Sequence, residues 1–413
     1  MQTLVLHPGT QHSRQTALAL QELGRLEALV TGLFDHEGSR AQRLADLLPE
    51  SLARPLRREL GRFASPGLDP ARVRALPWYE LPERLAYRAG AIETGRRIDA
   101  LLNRQFGRKV AGIAARHGPV ALWGYDNSAF AAFGDPRTAA CPKILDRTIA
   151  DGRYWNEEQA RIEERHGDWL AGGTPGWSRQ RIERNDIEYE MADRIVCGSP
   201  FVMESVARYS PVGGLAEKLT LLPYTWDAAL FGNAPQPAPV AARDPVRFLF
   251  VGQISARKGV QHLLEAFASL PRGAATLTLV GPVMVPERML APYSDRIEIV
   301  GPVPRSEVPG IMQRHHAFVF PSHFEGSAIA LVEAMASGLA IIQTRAAGLG
   351  AGPHSGFVLE QPDAALLTEA MTSLIEDRER LHAMRHAAMR DAKERDFAAY
   401  CRGILQLLEG LGI

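Results

Sequence analysis

The sequence predicts an α/β protein of two doubly wound domains facing each other across a cleft, and three observations carry that expectation. The chain has 413 residues, 46% hydrophobic and 23% charged, enough for two cores at ~100–200 residues per domain. Short runs rich in Val, Ile and Phe alternate with segments of helical period, the pattern of a parallel sheet covered on both faces. Pro235, Pro237, Pro239 and Pro245 crowd residues 234–245; proline removes backbone donors and favours extended chain, so this stretch reads as a linker. The expected domains are therefore residues 1–233 and 246–393, with ligands between the carboxyl ends of their strands.

Taken in order, strands are expected at residues 3–7, 27–31, 120–123, 143–145, 194–197 and 219–223. An Arg-rich helical insertion from about 40 to 117 separates the second from the third. After the linker, strands are expected at 246–251, 276–280, 297–300, 317–320, 339–343 and 357–359, with helices at 259–270, 305–314, 327–337 and 363–376.

Forty-seven basic residues balance forty-seven acidic ones, so total charge points neither to nucleic acid nor to a membrane. Residues 38–120 hold 16 Lys/Arg against 8 Asp/Glu, an excess of +8 that includes Arg54, Arg57, Arg58, Arg62, Arg72 and Arg74. The excess suits an anionic surface. It is equally what a preference for arginine over lysine produces, since 5 of the 47 basic residues are Lys. Cys141, Cys197 and Cys401 are widely spaced and fit no zinc pattern. With no basic leader before a long apolar run and no ~20-residue apolar stretch, a cytoplasmic chain is expected, in contact with a membrane only peripherally.

Two constellations carry chemistry. In residues 248–259 a strand runs into Gly252, a short polar loop, Arg257, Lys258 and Gly259. Gly252 permits a tight turn, and the two cations stand where charge-assisted bonds to a diphosphate would form. The spacing is neither a GxGxxG fingerprint nor a Walker A loop. A solvated Arg-Lys pair at a helix start is the plainer reading. In residues 321–338, Glu325 falls in a loop, Gly326 and Ser327 at a helix start, Glu333 two turns into the helix and Gly338 at its end. Unsatisfied amides at such a start suit a diphosphate, and ionised carboxylates suit sugar and ribose hydroxyls because they only accept. The plainer reading is a first-turn charge and a solvated helix face.

Gly252 with Lys258, the segment from Val303 to Pro309, Pro321-Ser322 and the Glu325-x7-Glu333 pair resemble the donor domain of glycosyltransferase family 4. Weaker likenesses lie in Asp193 to Ser199, in Leu222 to Asp227 with Phe231, and in Asp396 to Gly403, which resembles a final helix crossing back to the first domain, here residues 394–413.

The resemblance implies two Rossmann-like domains in the GT-B arrangement. It implies a retaining transfer from a UDP- or GDP-sugar to an acceptor hydroxyl, in cell-envelope glycan or glycolipid synthesis, without cofactor or obligatory metal. It places Lys258 on the donor diphosphate, Glu333 on the ribose, Glu325 on the donor sugar, the amides of Ser327 and Ala328 on the phosphates and Gly281 near the base. Catalysis would rest on Glu325, Lys258 and Asp126.

The chain departs from the family in three places. Gln253 stands where arginine is common, leaving Arg257 to supply the cation. Thr225-Trp226 replaces Gly-Val. The acceptor-side histidine is not evident, so Tyr125, Asp126 or His12, in the loop with Gly9, are the candidates to stand in. Asp126 with Asn127 as a turn and His12 as a surface residue fit as well. A nucleotide-sugar epimerase, an inactive glycosyltransferase-like binding protein and a periplasmic-type ligand-binding protein are the competing readings.

Overall fold

The computed structural model describes the whole chain except residues 10, 11, 37, 62, 89 and 173–175 and, within helices, the side chains of residues 40, 58, 87, 88, 92, 93 and 96. Arg62, the Arg58 side chain and the two residues before His12 thus lie outside the described residues.

Two parallel sheets organise the chain. The first comprises β1 (Gln2–His7), β2 (Leu26–Thr31), β3 (Val73–Ala75), β4 (Val120–Tyr125), β5 (Lys143–Arg147), β6 (Arg194–Cys197) and β7 (Leu219–Leu221). Their spatial order is β3-β2-β1-β4-β5-β6-β7. The second comprises β8 (Val246–Val251), β9 (Ala275–Val280), β10 (Ile297–Ile299), β11 (Ala317–Phe320), β12 (Ala340–Thr344) and β13 (Gly356–Leu359), in the order β10-β9-β8-β11-β12-β13. Strand order reverses at β1/β4 and at β8/β11. Those two switch points open crevices at the strands' carboxyl ends, where doubly wound sheets bind ligands.

The apolar runs became central strands because both faces are covered: Leu4, Val5 and Leu6 are buried in β1, and Phe248, Leu249 and Phe250 in β8. Side-chain caps set several helix starts. Ser199 accepts from the Val202 amide before the helix Pro200–Tyr209, and Asp363 from the Leu366 amide before Ala364–Glu376.

Three expectations need correction. The insertion is not helical throughout, since β3 pairs with β2 at the sheet edge; three residues are too few to show a period. Residues 305–314 start as a 3-10 turn, Arg305–Glu307, before the α-helix Val308–Gln313, whose first turn holds Pro309. The helix after Glu325 is Ile329–Ala336, so Ser327 and Ala328 precede it and Glu333 stands just over one turn in.

The last helix, Phe397–Gly410, packs on the first sheet. Tyr400, Ile404 and Leu407 share a core with Val5, Leu20, Trp123 and Tyr224, and the hydroxyls of Tyr400 and Thr16 lie 2.8 Å apart. Thr225 and Trp226 fasten the return. Thr225 Oγ1 donates to the Arg395 carbonyl (2.8 Å) and Trp226 Nε1 to that of Ala392 (2.9 Å). This accounts for the Thr-Trp pair, whose role the local sequence does not reveal: both side chains tie the crossover to the end of the helix Arg378–Lys393.

Candidate active site in the cleft

At the β8/β11 switch point the chain leaves β8 through Gly252 and forms the 3-10 turn Ala256–Lys258. Gly259 follows with φ +70°, and a Cβ there would collide with the Pro321 carbonyl. This glycine therefore locks the Lys258 turn against the loop after β11. Gly252 and Gly281 close up similarly: a Cβ on Gly281, at φ +140°, would strike the Gly252 carbonyl.

Three donors converge on Glu325 Oε1: Lys258 Nζ at 2.6 Å, Arg257 Nη1 at 2.8 Å and Ser322 Oγ at 2.6 Å. Burial pushes the Glu325 carboxyl up, but Lys258 and Arg257 outweigh it and hold it below the usual carboxylate range. Burial in turn lowers the Lys258 ammonium, against the pull of Glu325. Arg257 also donates to the Phe324 carbonyl (2.9 Å) and lies over the rings of Trp155 and Phe324.

Glu333 is buried on the helix Ile329–Ala336 and accepts from Arg305 Nη2 at 2.5 Å. Burial raises its carboxyl above the usual range, and Arg305 opposes that rise. Arg305, half-exposed on the rim, stands in the Val303–Pro309 segment that carries the family resemblance, yet only the tertiary contact reveals its partner.

The loop from Glu325 to Ala328 meets the first sheet. A Cβ on Gly326 would overlap the Thr148 carbonyl just after β5, and Ser199 Oγ donates to the Gly326 carbonyl at 2.6 Å. Gly198 and Ser327 are likewise in contact. Ala150, Ile162, Phe201, Ala256, Phe324 and Ala346 form one apolar cluster drawn from both halves. Ala328 N–H already donates to the Ala347 carbonyl, at 3.4 Å, so it would have to release a weak bond to take an anion.

The candidates on the other wall fare differently. Tyr125 belongs to the core: it is fully buried, with its hydroxyl 2.7 Å from that of Thr16. Burial, reinforced by Asp146, pushes that phenol well above its usual value. An acceptor-side role is thereby overturned. Asp126 stands at the carboxyl end of β4, but both its oxygens are taken. Thr148 Oγ1 (2.7 Å) and N (3.3 Å) bind one, Arg147 Nη1 (3.4 Å) and Asn127 Nδ2 (3.1 Å) the other. The geometry makes it a clamp between the ends of β4 and β5 rather than a free base.

His12 stacks on Tyr224 with ring centroids 3.7 Å apart. Burial, then His7 and Arg305, push it down to about 4, so its ring is neutral and faces a donor-side cation. His7, absent from the sequence-based candidates, ends β1; its Nδ1 accepts the Gly9 N–H at 3.0 Å. Its place at the sheet's switch point was the signal available.

Two glycine-turned, doubly wound sheets whose switch points face one another, with paired cations and carboxylates on one side, define a GT-B protein. Residues 245–377 match the family model described as "Glycosyl transferases group 1", so this segment is a group 1 glycosyltransferase domain. Among curated proteins, the chain is 28% identical over 231 residues to glycogen synthase of Mycobacterium tuberculosis, covering 52% of each. It is 28% identical over 200 residues to a phosphatidylinositol N-acetylglucosaminyltransferase of Arabidopsis thaliana, covering 46% of this chain and 43% of that protein. The chain spans about half the length of the curated relatives it matches. Among solved structures, Anabaena HepE in complex with UDP superposes with a TM-score of 0.63 at 14% identity, covering 99% of this chain and all of that one. That likeness speaks for the fold.

Proposed function

We propose that this protein is a retaining glycosyltransferase of family 4 type that moves a sugar from a UDP- or GDP-sugar to a hydroxyl acceptor in glycan or glycolipid synthesis. The observation that carries the reading is the convergence of Lys258 and Arg257 on the Glu325 loop at the β8/β11 switch point. The UDP in Anabaena HepE and the polysaccharide and glycolipid activities named for the curated relatives agree with it.

Breaking the sugar–diphosphate bond builds negative charge on the leaving group. Lys258 and Arg257, already desolvated and fixed, stabilise that charge without reorganising. As they turn to the diphosphate, Glu325 is freed to accept hydroxyls of the donor sugar, still held by Ser322. Glu333, steadied by Arg305, accepts the ribose diol. With Tyr125 and Asp126 spent structurally, the leaving phosphate takes the acceptor proton in a front-face attack, and His12 lines the acceptor side. No obligatory metal is invoked.

The acceptor-side half also presents apolar side chains to solvent within its basic stretch. Leu47 is 82% and Trp78 76% exposed, with Leu44, Leu52, Leu85 and Leu101 also exposed. This combination fits a peripheral contact with an anionic membrane that holds a lipid-linked acceptor. Among the described residues no helix is long and apolar enough to cross one. Salt-sensitive cosedimentation with anionic liposomes, weakened by Leu47→Glu with Trp78→Ala, is expected; no binding at low salt rejects the contact.

The central test is calorimetric binding of UDP, GDP and ADP to wild type and Glu333→Ala. One nucleotide should bind, and the variant should weaken it about 10- to 100-fold, the worth of a hydrogen bond to a charged group. Binding of none, or unchanged binding in the variant, rejects the ribose assignment. A changed sugar without any acceptor would instead indicate epimerisation.

A further inference from the structure

We propose that the donor-side domain carries a second anion site, on the edge opposite the cleft, that takes a small phosphorylated molecule. The cleft lies at the carboxyl ends of β8 and β11. At their amino ends a cavity of about 360 Å³ opens between the sheet and the proline-rich linker, lined by Pro237, Val240, Arg247, His316, Ser337 and Arg385 among others. None of these belongs to the donor machinery.

The cavity is rich in donors and poor in counter-charge. Arg385 is 7% exposed, yet its hydrogen bonds run to neutral carbonyls, Nε to Gly338 at 2.9 Å and Nη1 to Ala238 at 2.8 Å. Arg247 donates from Nε to the Arg314 carbonyl at 2.5 Å. Nearby, Arg378 donates to the Asp244 carbonyl at 2.9 Å, and its other terminal nitrogen is buried without a partner. Among the described residues none of these three guanidiniums forms an ion pair. The carboxylate that lines the cavity, Asp244, has its nearest cation in Arg243 at 4.0 Å. A buried cation facing neutral acceptors alone is costly, and a bound anion removes the cost.

His316 completes the set. Its Nδ1 accepts the Arg247 N–H at 3.1 Å, leaving Nε2 to carry the proton and donate. Burial and the neighbouring Arg247 and Arg385 push this ring down to about 3, so it remains a neutral donor. Paired arginine forks match phosphate oxygens, and the volume suits a small metabolite. Since Arg385 also holds the linker through the Ala238 carbonyl, an occupant would tie the linker to the donor-side sheet.

Pyrophosphate titrated calorimetrically into the full chain should give two binding events. Lys258→Ala should remove one, and Arg247→Gln should weaken the other about tenfold or more, one lost charge-assisted contact. Arg247 is exposed at the second position of its strand, so this variant spares the Arg385 linker clamp. Selenate soaked into crystals gives a second readout, an anomalous peak between Arg247 and Arg385. A single event abolished by Lys258→Ala would uphold the donor cleft and overturn this site. So would pyrophosphate binding in Arg247→Gln equal to wild type, or a cavity without selenate.

Discussion

At the scale of single residues, the cleft depends on charges that burial opposes. Lys258 is 9% exposed and contacts Glu325; removing it leaves a buried carboxylate and a leaving group without its nearest cation. Lys258→Ala should lower kcat by about two decades or more at saturating donor, the scale of one lost preorganised donor. A change confined to KM would contradict the assignment. Elsewhere burial dominates outright. Asp146, fully buried on β5, accepts from Tyr224 Oη at 2.5 Å and Trp123 Nε1 at 3.3 Å. Burial nonetheless pushes its carboxyl from 3.8 up to about 7. A carboxyl raised on folding contributes stability that is complete below its unfolded value and lost as pH rises through the folded one. Stability should therefore fall by on the order of 2–4 kcal/mol between about pH 4 and 8 from this group alone. Urea midpoints at pH 5 and pH 8 should diverge less in Asp146→Asn than in wild type; equal divergence would refute the shift.

At the scale of elements, the loops at strand ends do what the strands and helices cannot. Helix Ile329–Ala336 starts after its anion-facing loop rather than within it, because Gly326 is pressed between Thr148 and Ser199 of the other sheet. Gly326→Ala should force these loops apart by at least a few tenths of an ångström, at a cost of about 1–3 kcal/mol. Turnover should fall about tenfold or more while circular dichroism stays unchanged. Wild-type turnover in this variant would mean that the close approach is dispensable.

At the scale of the whole molecule, chain order and spatial order part company. The last helix is coded after the donor-side domain but buries Ile404 among Val5, Leu20 and Trp123 of the first sheet. Ile404→Ala should cost about 2–5 kcal/mol, as large-to-small core changes do. Its effect should appear in the first half. Hydrogen exchange should accelerate in β1 and β4 while β8 and β11 stay protected; acceleration confined to β8 would contradict the crossover.

The sequence by itself determined the two-sheet α/β architecture and most of its strands, because central parallel strands are apolar on both faces and their runs are visible without partners. It also determined the donor-side constellation, since Gly252, Lys258, Glu325 and Glu333 sit at spacings that local chain geometry carries to one switch point. Only the tertiary structure decided the other wall. Tyr125 turned inward to Thr16, Asp126 was consumed by Arg147 and Thr148, and Arg305 reached Glu333. The arginines gathered beneath the linker belong to the same class, with Arg247 and Arg385 well over a hundred residues apart. Such contacts depend on which neighbour a folded chain brings within hydrogen-bond reach, and nothing in the local pattern around a polar side chain encodes that.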